Sequence, residues 1–592
     1  MTQEQTKDMS QYFYRASAAD FMKIPGSPVA YWVSDEIRKA FEKLPSLSEI
    51  AEIKVGLQTG SNDTFVREWF EICLSKVSFA KNGIHDYSKK WFPYNKGGEY
   101  RKWYGNNENL VNWNNDGREI KSYTDDKGKP RSRPQNLEFY FKKSVTWSFI
   151  SSAYFGARYS DTFAAFDVAG SSAFAKDICP IALTAFLCSK LSTYFLSVTN
   201  PTLNFQAGNI AKLPIHDLMK DHSVYRISSE LVEISTIDWN SYETSWDFTQ
   251  LPLLDPSFQQ SQLAASYQAL LSHWQETTNE MQQLEEENNR LFIDAYGLQD
   301  ELTPDVPLDE ITLTCNPHYR YGGKLTDDER EARLQSDSLA ELVSYAIGCM
   351  MGRYSIDKPG LILANQGETL EDYLKQIPSP RFMLDDDAIL PLTDQEWFAD
   401  DATNRFCEFV RVVWGDDHLQ ENLDFVAESL CLHAIKAKRS ESALDAIRRY
   451  LSTQFYKDHM RTYKKRPIYW LFSSGKHKAF ECLVYLHRYN EGTLARMRTE
   501  YVIPLTAKLT AYADKLEQDK AASASAAETK RLEKEINTLH KQQAELAEFD
   551  EKLRHYADQR IALDLDDGVK VNYGKFGDLL AEVKAVTGEK PR

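Results

Sequence analysis

The sequence contains no long hydrophobic run. None of its 592 residues lies in an apolar stretch of about 18 residues, the length that a membrane-spanning helix needs. The first 17 residues, MTQEQTKDMSQYFYRAS, contain neither the basic segment nor the apolar segment that begins a secretory signal. We therefore expect a cytoplasmic protein that makes no membrane contact.

The eight cysteines lie far apart and form no CxxC pair. A disulfide framework or a structural zinc site is therefore not expected, and we predict no metal ligands. The sequence also lacks a Walker A phosphate loop, a GxSxG nucleophile elbow, an HExxH zinc helix and the clustered carboxylates of metal-dependent nucleases. The residues by themselves specify no catalytic centre.

One tetrapeptide is close to a catalytic signature. Asn316-Pro317-His318-Tyr319 follows an apolar, β-like run at 311–315. Amino-methyltransferases use Asn-Pro-Pro-Tyr because the Asn side chain and the first proline's carbonyl accept hydrogen bonds from the target amine, while the aromatic ring stacks on the flipped base. Here histidine replaces the second proline, and no strand with a glycine-rich cofactor turn accompanies it. We therefore favour a proline-anchored turn with a buried tyrosine over catalysis.

Positive charge is scarce overall but segregated. The formal net charge is −17, which by itself argues against a nucleic-acid protein because such domains are usually basic. Residues 81–150, the first basic island, nevertheless contain 14 Lys/Arg and eight Asp/Glu, and residues 436–478, the second basic island, contain 12 and three. The other 479 residues carry −32. The acidic average therefore conceals two regions suited to phosphate groups.

The first basic island mixes cations with aromatic residues and asparagines. Lys and Arg neutralise phosphates or bind guanine, Asn can bond adenine, and aromatic rings can stack on bases. A solvated, turn-rich surface above an aromatic core explains the composition equally well. The candidate DNA contacts here are Lys89, Lys90, Arg101, Lys102, Tyr104, Asn106, Asn107, Arg118, Lys121, Arg131 and Arg133. We expect Arg101, Lys102, Asn106, Asn107 and Arg118 to lead base recognition.

A turn before the first island is a further candidate. In Thr59-Gly60-Ser61-Asn62-Asp63 a glycine and short polar residues can expose backbone N–H groups to a ligand, and we include Thr59, Ser61 and Asn62. The alternative is a strand-to-helix turn that only shapes the fold.

The second basic island suits contacts that ignore base sequence. Its candidate residues are Arg439, Lys464, Lys465, Arg466 and Lys476, with the three consecutive cations as clamps on the phosphate backbone. The alternative is an interface to an acidic partner or to the acidic helices of the chain itself.

Several long stretches have a recognisable sequence. They are KVGLQTGSNDTF (54–65), KWFPYNKGGEYRKWYGNNENLVNWNNDGREIK (90–121), NPTLNFQAGNIAKLPI (200–215), LEEENNRLFIDAYGLQDEL (284–302), CNPHYRYGG (315–323), GCMMGRYSID (348–357), YKKRPIYWLFSSGKHKAFECLVYLHRY (463–489) and DLDDGVKVNYGKFGDLLAEV (564–583). Together they resemble the target-recognition and C-terminal parts of the PglX family, the adenine-specific DNA methyltransferases of BREX phage-exclusion systems. Similar segments occur in type IIG restriction–modification enzymes.

The resemblance implies a division of labour. Members of the family carry an N-terminal methyltransferase domain that binds S-adenosylmethionine, and this chain begins where that domain would end. We therefore expect the specificity half alone, with no cofactor of its own, binding double-stranded DNA between its two basic islands. The implied partners are the methyltransferase catalytic domain, other BREX proteins and phage-encoded DNA-mimic inhibitors. The competing hypotheses are a protein-interaction scaffold that docks other subunits of the defence system, and the specificity part of a type IIG restriction–modification enzyme.

Hydrophobic spacing supports a fold prediction. Apolar residues at helical spacing predict helices over 259–295, 338–351, 501–520 and 530–556. We expect an α/β (α+β) target-recognition domain (1–250), a long spacer helix (251–310), a mainly α-helical C-terminal domain (311–500), and an antiparallel helical hairpin with the C-terminal tail (501–592). The hairpin could pack on itself or the body, or it could mediate dimerisation.

Overall fold

The computed structural model describes residues 17–151, 154–200 and 202–589. These residues form two compact units. Unit 1 contains the described residues up to Val66, then Val77–Trp239 and Trp274–Gly322; unit 2 contains Arg67–Lys76, Asn240–His273 and the described residues from Gly323 onward. The chain thus passes between the units five times. The sequence instead predicted four consecutive domains, a division of the chain that differs from these two units and stays a prediction.

The N-terminal region is mixed α/β with small sheets, and the C-terminal half is mostly helical. The strands of the N-terminal region are β1 (Ala51–Lys54), β2 (Val66–Glu68), β3 (Trp91–Asn95), β4 (Asn109–Asn112), β5 (Ser144–Trp147), β6 (Ala157–Ser160), β7 (Ala165–Phe166) and β8 (Ser172–Ala175). Its helices are α1 (Ala18–Phe21), α2 (Asp35–Lys43), α3 (Leu47–Ile50), α4 (Asn62–Phe65), α5 (Asn114–Lys121), α6 (Pro180–Cys188), α7 (Lys190–Thr199), α8 (Ala207–Ile210), α9 (His222–Asn240), α10 (Leu263–Tyr296) and α11 (Pro317–Tyr321).

Two sheets organise unit 1. The first is antiparallel throughout, in the order β1-β8-β5-β6. In the second, β3 pairs antiparallel with β4 and parallel with β7. All five residues of β3 are buried, as expected for a strand with partners on both sides. A large apolar cluster, including Trp147, Phe186 and Phe292, fills the core beside the first sheet, and a smaller cluster around Phe92 and Phe166 supports the second.

Unit 2 is built mainly from helices around a small antiparallel sheet. The sheet has the order β10-β11-β9, from β9 (Ile389–Pro391), β10 (Tyr469–Ser473) and β11 (Glu481–Tyr485). The helices are α12 (Asp327–Met350), α13 (Leu370–Gln376), α14 (Ala402–Trp414), α15 (Leu419–Leu432), α16 (Ala443–Tyr450), α17 (Tyr456–Thr462), α18 (Thr493–Arg496), α19 (Ile503–Ala522), α20 (Ala526–Asp558), α21 (Gly568–Gly574) and α22 (Val583–Thr587).

Local sequence explains where several of these helices begin. At the start of α12 the Thr326 side chain accepts a hydrogen bond from the Glu329 amide, and the Glu329 carboxylate accepts one from the Thr326 amide. This capping box satisfies N–H groups that the first helical turn leaves without partners. The helix therefore begins 11 residues before the stretch at 338–351 in which its apolar period is evident.

Two long helices of unit 2, α19 and α20, run in opposite directions beside each other. Tyr512 donates a hydrogen bond to Glu535 at 2.6 Å, and Arg498, in the preceding turn, bonds Asp550 at 2.8 Å. Arg498 precedes Tyr512 in the sequence, whereas its partner Asp550 follows Glu535. This reversed order is the pattern of antiparallel helices.

The β-like run at 311–315 forms no strand, which corrects the sequence-based expectation. The amides of Thr314 and Cys315 donate to the Asp238 carboxylate at 2.8 and 2.9 Å, and the Thr312 hydroxyl accepts from the Lys102 amide at 3.0 Å. The amides of Ile311 and Leu313 donate to the carbonyls of Leu308 and Ile311, so this run is satisfied by local turns and by the Asp238 side chain and not by a partner strand.

Among the described residues, no single helix has both the length and the apolar character needed to cross a membrane. One bent pair, Pro180–Cys188 with Lys190–Thr199, meets that test of length and composition.

Candidate nucleic-acid interface

The two leading candidates of the first basic island are buried in unit 1. Arg101 and Lys102 are each about 4% exposed. Arg101 forms an ion pair with Asp238, and its guanidinium also lies 4.9 Å from the ring of Trp239. Lys102 forms an ion pair with Glu285. The expectation that these two cations lead base recognition does not fit these positions, because their charge is already neutralised and their side chains present no surface to a duplex.

The asparagines of this island serve the backbone. Asn106 and Asn115 adopt positive φ values of 59° and 49°, and Gly117 follows at 68° in a left-handed first turn of α5. Asparagine tolerates this region better than most residues. Asn106 donates to the Glu99 carbonyl at 3.0 Å, and Asn107 is buried. Turn conformation therefore explains Asn106 and Asn115 without invoking adenine.

Three separate stretches converge on one exposed surface of unit 1. The turn before α4 lies against the segment 131–133, since Gln58 and Arg133 exchange backbone hydrogen bonds of 3.1 and 2.8 Å. The Arg131 amide bonds the Tyr123 carbonyl just beyond α5 at 3.0 Å. We call the surface formed by Ser61, Asn62, Arg118, Lys121, Arg131 and Arg133 the unit 1 basic surface.

Close packing holds this surface in shape. A Cβ atom on Gly60, which has a φ of 79°, would lie 2.7 Å from the Arg131 carbonyl oxygen, so only glycine allows the turn to approach this backbone. The Ser132 hydroxyl donates to the Ile120 carbonyl at the end of α5. The exposed Arg131 lies 5.6 Å from the ring of Tyr123, and Lys121 pairs with Asp116 at 2.6 Å. The exposed cations therefore stand on a fixed backbone.

The other candidates of unit 1 are less accessible. Thr59 is buried and donates its hydroxyl to Asn62 at 2.7 Å, so it shapes the turn. Tyr104 is also buried, and its carbonyl accepts from Arg101. Lys89 and Lys90 are half-buried; Lys89 lies 3.9 Å from Asp86.

Part of the second basic island is neutralised inside unit 2. Arg448 pairs with the buried Asp401. Arg449 bonds both oxygens of Glu441, at 2.6 and 2.8 Å, and these bonds hold the pKa of Glu441 below its usual value. These cations act as structural partners of local acids.

The remaining candidates of this island are more exposed. Arg439, Lys464, Lys465 and Lys476 are exposed. Arg466 is half-buried, 3.9 Å from Glu71. The three consecutive cations 464–466 therefore do not form a uniform clamp, since the third faces an acid.

A cavity beside the exposed cations was missed by the sequence analysis. Its volume is about 530 Å³, and it is lined by Lys457, Met460, Arg461, Lys464, Lys465, Glu582 and Ala585. Lys457 and Arg461 lie four residues apart on α17, and Lys464 and Lys465 continue the same helical spacing of i, i+4, i+7 and i+8. This spacing in the sequence could have indicated that the four cations share one face.

A buried histidine forms hydrogen bonds with the end of the loop that carries Lys464 and Lys465. His459, on the opposite face of α17, accepts hydrogen bonds at Nε2 from the amides of Ile468 and Tyr469, both at 3.1 Å. Complete burial lowers the pKa of His459 to about 3, and the nearby Arg353 acts in the same direction. The imidazole is therefore neutral at physiological pH, as its role as an acceptor requires.

The tetrapeptide at 316–319 has a structural role. Asn316 caps α11 by accepting from the His318 amide at 3.0 Å, and its Nδ2 donates to the carbonyls of Leu308 and Ile311. The Tyr319 hydroxyl donates to the Tyr100 carbonyl. All hydrogen-bonding atoms of the Asn316 side chain thus serve the fold, and none is presented to a substrate amine.

One acidic group has metal-like spacing. Carboxylate oxygens of Asp385, Asp386 and Asp387 lie within 4.8 Å of one another. Asp385 accepts from the amides of Asp387 and Ala388, and burial raises its pKa to about 8. The Asp387 carboxylate accepts from Tyr501. Because the Asp385 and Asp387 carboxylates already accept hydrogen bonds from the protein and burial disfavours the charged form of Asp385, we assign no metal here.

Sequence comparison identifies two long relatives of the chain. It is 47% identical over 577 residues to the adenine-specific methyltransferase BrxX of Escherichia coli O9:H4 (strain HS), covering 97% of this chain and 46% of the relative. It is 41% identical over 583 residues to the adenine-specific methyltransferase PglX of Lacticaseibacillus casei (strain Zhang), covering 95% of this chain and 45% of the relative. No protein-family model matches the chain. Over at least 95% of its length the chain is therefore homologous to the BrxX and PglX adenine-specific methyltransferases, and it spans about half the length of these curated relatives.

Proposed function

We propose that this chain binds double-stranded DNA and selects the sites at which a BREX-type adenine-specific methyltransferase modifies DNA. The methyl-transfer chemistry and S-adenosylmethionine would belong to a catalytic domain with which the chain works, and other BREX proteins would be further partners. The homology to BrxX and PglX supports a role in such a methyltransferase. Specific recognition of DNA is our inference.

The unit 1 basic surface carries this proposal. Arg131 and Arg133 are exposed on one short segment, which contacts the stretch before exposed Asn62 and the end of α5, the helix that carries exposed Arg118. The guanidinium group of arginine binds phosphates or the major-groove edge of guanine, and an amide side chain can form hydrogen bonds with adenine. A surface that combines both types on a rigid backbone suits recognition of base sequence better than a purely cationic surface.

A salt series of DNA binding tests the proposal. The full chain is titrated into duplexes that differ in candidate target sequence, between about 50 and 200 mM salt. We expect affinity to fall steeply with salt, and R131A/R133A to weaken binding roughly tenfold or more, as for contacts worth 1–3 kcal/mol each.

The matched control is Lys43→Ala, which removes an exposed cation of unit 1 outside both basic islands. It should leave affinity nearly unchanged. If wild-type chain shows no salt-sensitive binding, alone or when combined with a catalytic domain, the proposal fails.

A further inference from the structure

A two-lobed groove crosses the surface of unit 2. Its first lobe is the 530 Å³ cavity beside α17. Its second lobe has a volume of about 330 Å³. Lys457 and Glu582 line both lobes, so the two are adjacent. The second lobe is otherwise lined by Leu392, Leu451, Ser452, Thr453, Tyr456, Leu471, Lys478, Glu481 and Ala581. Each lobe lies within the range of about 300–1,000 Å³ that small-ligand pockets occupy.

The first lobe carries an excess of positive charge. Four cations and one carboxylate line it. Arg461 pairs with Asp458 at 3.1 Å, but neither Lys457 nor Lys465 has an ion-pair partner within residues 17–151, 154–200 and 202–589. In contrast, the one cation confined to the second lobe, Lys478, pairs with Glu481 at 2.9 Å. An anion in the first lobe would therefore gain favourable charge interactions that no protein group supplies.

The second lobe offers an apolar wall. Leu392, Leu451 and Leu471 line it together with the ring of Tyr456. One edge is a π-helical turn, Leu451–Phe455, and such turns recur at functional sites. The Ser452 carbonyl in this turn accepts a hydrogen bond from Lys478 at 2.6 Å, so the turn and the cation hold each other in place.

Unusual backbone conformations concentrate along this groove. Of the 16 non-glycine residues with positive φ among those described, four line it: Lys464, Lys465, Lys478 and Glu582, with φ between 50° and 60°. Residues with a Cβ rarely adopt this region, and where they do the conformation is often part of a functional site. Here it aims three lysines and one carboxylate along the same groove.

We propose that the groove binds a nucleotide, with its phosphate among Lys457, Arg461, Lys464 and Lys465 and its base against the apolar wall around Leu451. The shared chemistry is a phosphate ester joined to a flat apolar group. Its source is either a free nucleotide or one nucleotide of a bound DNA strand, and only the second source rests on the proposed function.

Binding of deoxyadenosine monophosphate to the full chain tests this inference, with deoxyadenosine as the probe that lacks phosphate. Ligand-observed NMR should show saturable binding of the monophosphate and at least tenfold weaker binding of the nucleoside. K457Q/K465Q should weaken monophosphate binding at least tenfold. T453W, which places a large ring in the second lobe from an exposed position, should also weaken it.

The control Lys584→Gln removes an exposed cation that is next to a groove residue in sequence but does not line the groove. It should change neither measurement. Because Lys457 and Lys465 are exposed, unfolding curves should confirm that K457Q/K465Q folds normally.

The outcomes distinguish the sources of the phosphate. If K457Q/K465Q weakens binding of both the monophosphate and a duplex, the groove holds a nucleotide of DNA; if it weakens only the monophosphate, the groove holds a free nucleotide. The inference is overturned if wild-type chain does not bind the monophosphate and the variant binds duplex as wild type does. A chain that binds the monophosphate but no duplex would refute the proposed function and leave this site standing.

Discussion

Both basic islands contain an excess of Lys and Arg. Their cations nevertheless lie in very different positions in the fold. In unit 1 the consecutive cations Arg101 and Lys102 are buried in ion pairs with Asp238 and Glu285. In unit 2 the consecutive cations Lys464 and Lys465 are exposed at a cavity. A local excess of charge therefore does not show whether a cation holds the fold together or remains available to a ligand. For Arg101 and Lys102 the deciding factor is an acid that lies 137 or 183 residues further along the chain and pairs with the cation in the core.

Removing the buried cations of unit 1 should have the largest effect on stability. Arg101→Met or Lys102→Met leaves a buried carboxylate without its partner, and we expect a loss of about 3–5 kcal/mol in the free energy of unfolding. Urea unfolding followed by far-UV circular dichroism measures it.

The matched substitution Arg131→Met, on the exposed surface of the same unit, should change stability by no more than about 0.5 kcal/mol. Equal losses in the buried and exposed variants would remove the contrast between the two kinds of cation.

Acid should loosen the cationic loop of unit 2. The pKa of His459 is lowered to about 3 in the folded chain, whereas an unfolded histidine titrates near 6.5. Between these values the open state binds a proton that the closed state does not, so stability is lost as pH falls below 6.5. From pH 7 to pH 5 the opening equilibrium should rise about 25-fold. Hydrogen-exchange protection factors of the Ile468 and Tyr469 amides, which donate to His459, measure it.

The amides of Thr314 and Cys315, bonded to Asp238 in unit 1, provide the internal control. Their protection should not follow this pH dependence. His459→Gln should abolish the dependence at Ile468 and Tyr469, and its persistence in that variant would assign it to another group.

The smallest expected effects separate two kinds of DNA contact. K464Q/K465Q should weaken binding to all duplexes alike and lower the slope of log affinity against log salt by about 2, since each phosphate contact contributes about 0.9. Asn62→Ala should change affinity by about tenfold or less, and only for duplexes that carry a particular base. Competition titrations with a panel of duplexes measure both. If the two variants lose affinity in the same pattern, the assigned roles are wrong.

The sequence predicts the regular elements better than the site. Apolar residues at a spacing of three and four predict a helix over 259–295, and α10 spans Leu263–Tyr296. This period is local, so it is visible without tertiary structure. The run at 311–315 is apolar and β-branched, yet two of its amides donate to the Asp238 side chain, which comes from the distant helix α9.

The site could be predicted only where exposure follows from local sequence. The glycine-containing turn at Gly60 and the segment ending at Arg133 were both identified, but their contact joins stretches more than 70 residues apart. Arg101 and Lys102 were misplaced because their partners lie 137 and 183 residues further along the chain. The number of charged residues in a short stretch of sequence gives no information about partners that lie so far along the chain.

The ion pair between Lys102 and Glu285 has a consequence for biosynthesis. Its partners are separated by 183 residues, and ribosomes add about 5–20 residues per second, so Lys102 leaves the ribosome roughly 10–40 s before the carboxylate that neutralises it. During that interval the ion pair cannot form, and the segment 240–273, which belongs to unit 2, is made within the same interval. Chaperones that hold unfinished chains would meet this protein in that state, and a slow stretch of translation after residue 285 would favour its correct closure.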